Sequence, residues 1–321
     1  MKPSKSGHDA ASTDAGTKVA VIAHNGKTIE GGLPELRREL AAQGVREPMW
    51  FEVDKSRRAP KRVREAIDAG AELLVIWGGD GMVQRCIDVA AGKHVSIAVI
   101  PAGTANLLAT NLKIPMTIAD AVKVALHGDS RTIDVGTING ECFAVMGGAG
   151  FDGTIMENVS SSAKERFGRV AYIRSGVKAM KARRVATDIE VNGDHWFNGP
   201  TSCVLVGNVG TVIGGLKVFE DATPDDGLLD LGVVSAEGTV QWARVLGRIV
   251  AHSEMSRSPF VRSTQAAKID VRFAKKVPYE IDGGARGESD RLKIRVRPHA
   301  IAIRVPIGPS AIAPTQLESA P

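Results

Sequence analysis

Between Lys18 and Ile100, seven short segments alternate between two periodicities, and this alternation restricts the fold more than any single residue. Lys18 to His24 (Lys-Val-Ala-Val-Ile-Ala-His) is branched and apolar and breaks at Asn25-Gly26, as a strand buried on both faces does. Leu33 to Gln43 sets Leu33, Leu36, Leu40 and Ala41 at helical spacing and stops at Gly44. Met49 to Val53, Glu72 to Trp77 and Ser96 to Ile100 read as further strands, with helices at Arg62 to Ala69 and Met82 to Ala91 between them. Strands separated by helices need crossover connections, so the spacing predicts right-handed βαβ units and a parallel sheet up to about Gly128.

After Arg131 the pattern changes. Thr132 to Ile138, Glu141 to Val145, Thr187 to Val191, Ser202 to Val206 and Leu228 to Val234 read as strands separated by turns. Ile269 to Phe273, Val277 to Ile281, Leu292 to Val296 and Ala300 to Val305 continue the series, with turns expected at Asp282-Gly283-Gly284 and Arg297-Pro298-His299. A chain of 321 residues, 43% of them apolar, can fill two cores. The expected organisation is an α/β nucleotide-binding domain with a parallel sheet over 17–130 and a mostly antiparallel β-sandwich domain over 131–307. Loose tails are expected at 1–16 and 308–321, and the site is expected in the cleft between the domains.

The formal charge of +5 favours anionic partners without choosing among membranes, nucleic acid and phosphorylated substrates. Cys86, Cys142 and Cys203 lie far apart and offer neither a disulfide framework nor metal-ligand spacing, which fits a reducing cytoplasm. The polar start, with Lys2 and Lys5, lacks the apolar run of a secretory signal. No apolar stretch approaches the roughly 20 residues of a membrane helix, so work on lipid is expected from the water side.

The chemistry concentrates in two loops. Val75-Ile76-Trp77-Gly78-Gly79-Asp80-Gly81 runs from a strand into a helix, where glycines let main-chain N–H groups approach phosphate oxygens. A carboxylate beside phosphate requires a cation, which makes Asp80 a candidate for Mg²⁺; the alternative is a capping Asp in a tight turn. Pro101-Ala102-Gly103-Thr104-Ala105-Asn106 lies about one βαβ unit further on. Gly103 permits close approach, and Thr104 and Asn106 are placed to bond phosphate or to orient the loop, with helix capping by Thr104 as the alternative.

These two loops together resemble the diacylglycerol kinase catalytic family, and Asn25-Gly26-Lys27 resembles its bacterial lipid kinase branch. The likeness runs from about Lys18 to Pro306 through Ile133-Asp134-Val135-Gly136, Gly147 to Asp152, Pro224-Asp225-Asp226-Gly227-Leu228 and Ile281-Asp282-Gly283. The resemblance implies an ATP-dependent, Mg²⁺-requiring lipid kinase, with diacylglycerol as the first acceptor to consider and no nucleic-acid partner. It assigns nucleotide contacts to Asn25, Gly78, Gly79, Asp80, Gly81, Met82, Arg85, Gly103, Thr104 and Asn106. Mg²⁺ would lie at Asp80, with Asp134 in its surroundings, and a second ion would lie at Thr223, Asp226 and Leu228, where a plain Asp-Asp-Gly turn is the alternative. A homodimer stays open.

The chain also departs from the family. Its Asp-Gly-Glu turn, whose Glu is commonly assigned as proton acceptor, is here Asp282-Gly283-Gly284, leaving Asp282 with Asp80 as the candidate catalytic acids. Met82 and Gln84-Arg85 replace the family's Thr and Asn-Glu. From Lys164 to Arg184, eight basic residues face one acid while Phe167, Val170, Ile173, Val177 and Met180 recur at helical spacing. This predicts either a basic amphipathic helix resting on an anionic bilayer through Arg174, Lys178 and Lys181, peripheral to the inner face of the cell membrane, or a surface helix docked on the sandwich. Two other classes remain open: a soluble kinase of the NAD kinase kind, and a noncatalytic nucleotide or lipid sensor.

Overall fold

The computed structural model describes residues 16–150, 184–212, 216–252 and 258–308. Arg174, Lys178 and Lys181 of the basic segment lie outside the described residues, as does Asp152.

Four strands form the parallel sheet: β1 (Val19–His24), β2 (Met49–Val53), β3 (Leu73–Gly78) and β4 (Ser96–Pro101). They lie in the order β4-β3-β1-β2, with Val21 opposite Val75 and Trp50. Successive side chains of β1 and β3 enter opposite cores, which is why both runs are apolar throughout. On one face Ala20, Ile22, Leu74 and Ile76 meet Val63 of α2 (Ala59–Asp68) and Cys86 and Ile87 of α3 (Asp80–Ala90). On the other, Val21, Val75 and Trp77 meet Leu36 and Leu40 of α1 (Gly32–Ala42) and Val122 and Leu126 of α5 (Ile118–His127). Each expected strand and helix of this region is present within a few residues. α5 is an addition that the sequence reading did not place, and the short α4 (Leu107–Asn111) is the helix it offered as the alternative after Thr104.

The strand order reverses between β1 and β3: β2 lies outside β1, and the chain then crosses back to β3 and β4. At such a switch point the loops leaving the two strands diverge and open a crevice at their C-terminal ends. Asn25 and the Gly78–Asp80 loop both stand there.

The second half is built on β5 (Asp129–Ile138), β6 (Glu141–Phe143), β7 (Met146–Ala149), β8 (Val185–Val191), β9 (Asp194–Thr201), β10 (Cys203–Gly207), β13 (Leu229–Val234), β14 (Val261–Ala266), β15 (Lys268–Ile281) and β16 (Gly284–Val305). A small separate pair, β11 (Thr211–Val212) and β12 (Leu216–Lys217), completes the set. Pairings within this half are antiparallel. Its main core gathers Ile138, Phe143, Val204, Leu231, Val271 and Ile294, and α6 (Gly238–His252), a helix the sequence reading did not place, seats Trp242 and Val245 against Cys203 and Val234.

One expected turn and one expected strand break came out differently. The expected strand pair at 292–296 and 300–305 is one long strand, β16, and Arg297-Pro298-His299 is a bulge in its pairing with β5 rather than a turn. His299 takes φ +48 there, and proline, which lacks an N–H, is tolerated where the ladder is interrupted. Similarly 269–273 and 277–281 belong to one strand with an irregular register between Arg272 and Val277. The long β16 returns to the first sheet, where Ala302 and Ile303 pair in parallel with Ser96 and Ile97 of β4. Ile133, Val135, Ile301 and Ile303 therefore share a core with Ile22. The two halves are joined by one continuous sheet, and the ends of β5 and β16 serve both.

Candidate active site between the two halves

Gly79 is the extended residue that caps α3, with φ −95 and ψ −174, and Asp80 is the first residue of that helix. A Cβ on Gly79 would stand 2.9 Å from the Gly103 Cα, and a Cβ on Gly103 would stand 2.4 Å from the Gly79 Cα. The two glycine loops thus touch backbone to backbone, and a side chain on either would force them apart. Asn106 holds the second loop in shape. With φ +47, it accepts from the Gly103 N–H at 2.9 Å and donates to the Gly103 and Pro101 carbonyls at 3.0 and 3.4 Å. Of its two anticipated uses, orienting the loop is the one its contacts display. Thr104 is exposed at the rim, and the cap position of α4 belongs to Asn106.

Asp80 reaches across to that loop, its Oδ1 accepting from the Leu107 N–H at 2.6 Å. Burial pushes its carboxyl above the usual range, while main-chain donors around Leu107 pull it back. Asn25 is exposed at the end of β1, and Trp77 Nε1 donates to the Lys27 carbonyl at 3.1 Å, pinning the Asn25–Lys27 loop beside the glycine loop. Gly81 faces open space. The Met82 side chain is buried and its main-chain N–H donates to the Gly79 carbonyl at 2.9 Å, so this residue packs beneath the loop and its expected nucleotide contact finds no free donor here. Arg85 is half-buried on α3, near enough to Glu141 to help hold that carboxyl low.

From the other side, Asp282 enters the same cleft. It sits in a tight turn with Gly283, with φ of +44 and +74, and is 7% exposed. Its Oδ1 accepts from the N–H groups of Val145 and Met146 at 3.0 and 2.9 Å, and its Oδ2 from Ala144 at 2.9 Å. Burial pushes its carboxyl up to about 7; the three donors oppose that, and the charge of Asp80 adds to it. The two acids, one from each half, therefore feel each other. A cation beside Asp80 would relieve that repulsion, and Asp80 is the acid of the two that fits a bound Mg²⁺, since both Asp282 oxygens are taken by main-chain donors. Among the described residues no three His, Cys, Asp or Glu side chains gather as a ligand set, so such an ion would draw further ligands from phosphate and solvent.

Asp134 is fully buried, and the structure brings it to the 223–228 loop. Its Oδ2 accepts from the Gly227 N–H at 2.6 Å and its Oδ1 from the His299 N–H at 2.7 Å. Asn208 donates to the main-chain carbonyls of Asp134 and Ala144, while its own buried Oδ1 has no partner, an acceptor that a water of a hydrated ion would satisfy. In the 223–228 loop Asp226 is exposed and accepts from the Thr223 hydroxyl and the Leu228 N–H, both at 2.9 Å. Burial pushes Asp230 up to about 6, with Asp226 and Asp221 raising it further against the Gln265 amide. Both Asp226 oxygens are thus engaged within the loop, the contacts of a capped Asp-Asp-Gly turn, which is the alternative the sequence reading gave for Thr223, Asp226 and Leu228.

Cys86, Cys142 and Cys203 are buried free thiols; burial pushes each above its ordinary value, Cys142 to about 11, which leaves them packing residues. Glu141, Gln84 and Arg286, which the sequence reading did not assign, also meet at the cleft. Arg286 stands two positions beyond Gly284 on a strand, where alternate residues share a face; that was the available signal.

Known proteins resemble both halves of the chain. Residues 18–138 match the diacylglycerol kinase catalytic domain and residues 145–305 the YegS C-terminal NAD kinase beta sandwich-like domain. A protein of Pseudomonas aeruginosa (strain UCBPP-PA14) named "Probable lipid kinase YegS-like" is 31% identical over 91% of this chain and 95% of its own length. Another of the same name from Yersinia pestis (strain Pestoides F) is 27% identical over 88% and 95%. The crystal structure of a diacylglycerol kinase from Bacillus anthracis str. Sterne superposes with a TM-score of 0.70, covering 90% of this chain and 96% of that one, and at 19% identity it is a likeness of fold. With both family domains matched in order and a relative above 30% identity along nearly its whole length, the chain belongs to the YegS-like lipid kinase family.

Proposed function

We propose that this protein transfers the γ-phosphate of ATP to a hydroxyl group of a lipid, with diacylglycerol the acceptor to test first. The contact between Gly79 and Gly103 carries the reading: two bare main-chain turns leaving the neighbouring strands β3 and β4 meet next to the switch point of a parallel sheet, beside the N-terminal end of α3. Such a surface offers N–H donors and a positive helix end to phosphate oxygens and leaves no room for side chains.

Gly78 to Gly81 would bind the phosphates, with Gly103, whose N–H is held by Asn106, allowing their close approach and Asn25, Thr104 and Arg85 at the rim. Asp80 would hold Mg²⁺ near the phosphates. Mg²⁺, when bound, neutralises phosphate charge and favours a loose phosphoryl-transfer transition state. Asp282, with a carboxyl titrating at about 7, has the proton affinity to accept the proton of the attacking hydroxyl, and it orients the Ala144–Met146 main chain toward the cleft. Because positioning contributes more than base strength to this reaction, a turn that lacks a second acid remains competent. Among the described residues no helix is long and apolar enough to cross a membrane, so the acceptor would be met at the bilayer surface.

The test is transfer of label from γ-labelled ATP with Mg²⁺ into dioleoylglycerol micelles. Label in the chloroform phase, lost in Asp80→Asn, supports the reading. Label that enters only NAD in the aqueous phase overturns it.

A further inference from the structure

Gly284 is glycine for an unusual reason. Its neighbour Gly283 needs a positive φ of +74, but Gly284 does not lie in that region, and the space beside it is taken by Arg286: a Cβ would stand 2.5 Å from the Arg286 Nη1, so the guanidinium would have to shift. The guanidinium lies back across Gly284 and donates from Nη1 to the Gly284 carbonyl at 2.9 Å. Its Nε is 2.8 Å from both oxygens of Glu141, its Nη2 is 2.6 Å from Glu141 Oε1, and Nη2 also reaches Gln84 Oε1 at 3.2 Å. Gln84, 2% exposed, turns its amide to Glu141 Oε1 at 3.2 Å and to the Cys142 carbonyl at 2.7 Å. One turn further along α3, Asp88 accepts the Cys142 N–H at 2.8 Å.

This network ties together three segments that the chain supplies from distant places. They are α3, which begins at Asp80, the strand β6, and the turn bearing Asp282. The Arg286 side chain is 15% exposed, and a planar guanidinium gripping a carboxylate through two nitrogens has little freedom of angle. All its donors are engaged within the protein, so it has no hand free for a ligand. Gln84 lies four residues after Asp80, one helical turn, on the same face of α3.

We infer that Arg286, seated on Gly284 and clamped by Glu141 and Gln84, is a positioning residue that sets the gap between Asp80 and Asp282 across the cleft. The inference rests on the reading of that cleft as the phosphoryl-transfer site. It accounts for the glycine at 284: the guanidinium needs the volume, so the two residues act as one unit.

The experiment is a double-substitution cycle of Arg286→Ala and Gly284→Ala, assayed with labelled ATP, Mg²⁺ and dioleoylglycerol micelles and compared with Asp80→Asn. Arg286→Ala should lower kcat about a hundredfold, the size of effect that follows misplacement of reacting groups, while the KM for ATP stays unchanged. Gly284→Ala should displace the guanidinium and cost as much, and the pair together should cost no more than either change alone. Losses that multiply, or a full rate in Arg286→Ala when Asp80→Asn is inactive, overturn the inference while leaving the assignment of the cleft intact. A full rate in Asp80→Asn overturns the assignment instead. Independently of turnover, amide exchange at Cys142 and Ala285 should quicken in Arg286→Ala at an unchanged Tm; unaltered exchange at both also overturns the inference.

Discussion

The two walls of the cleft are made of different material. The wall from the first half is main chain: Gly79 against Gly103, with side chains such as Met82 turned under it into the core. The wall from the second half is held by side chains, with Asp282 gripping three N–H groups, Asp134 gripping two, and Arg286 bridging to Glu141. A backbone wall tolerates almost no added volume, whereas a wall made of carboxylate anchors is sensitive to loss of an acceptor and to pH.

Substitutions at the first wall should therefore act on nucleotide chemistry with the largest effects. Asp80→Asn keeps an oxygen for the Leu107 N–H but removes the charge, and transfer from labelled ATP should fall by about a thousandfold with little change in Tm. Gly103→Ala places a methyl 2.4 Å from the Gly79 Cα, and because neither backbone can step aside, Mg²⁺-dependent ATP affinity by calorimetry should drop by about a hundredfold.

Loss of a carboxylate anchor at the second wall should act on stability first, in contrast to Arg286, whose loss is read in kcat. Asp134→Ala strands the N–H groups of Gly227 and His299 and empties a buried site, and chemical denaturation should show a loss of about 1–3 kcal/mol. Asp282 gives this wall a pH signature. Its carboxyl titrates near 7 in the fold against about 3.9 in an unfolded chain, so the folded state binds more protons between those values. Its contribution is complete below pH ~4 and is lost as pH rises through ~7. Tm measured from pH 5 to 8 should fall, and Asp282→Asn should flatten that slope. The smallest effect belongs to neither wall. Arg131 pairs with Asp225 through two bonds of 2.9 Å, but both side chains are about a third exposed, so Arg131→Ala should cost under about 1 kcal/mol and leave transfer unchanged.

The same contrast explains what could be read in advance. β1, α1, β2, α2, β3, α3 and β4 were legible because each carries its own periodicity and its own stop, as in Gly44 after α1 and Gly70 after α2. The glycine loop was legible because glycine at a strand end reports a local need of the backbone. The long β16 was not: Pro298 and Arg297 mark a break in any local pattern, and only the partner strand β5 shows the break to be a bulge. Asp134 was legible as an acid of interest, but its partners lie 93 and 165 positions away, so its place against Gly227 and His299 could not be.

The residues in order determined the alternating first half, the β-rich second half and the two glycine turns, since each depends on dihedral preference and periodicity within a few positions. The tertiary structure decided that the last strand rejoins the first sheet, that Asp282 comes close enough to feel the charge of Asp80, and that Arg286 fills the space above Gly284. Those are matters of which distant surfaces bury one another. Burial is a property of the assembled chain, and no local pattern encodes it.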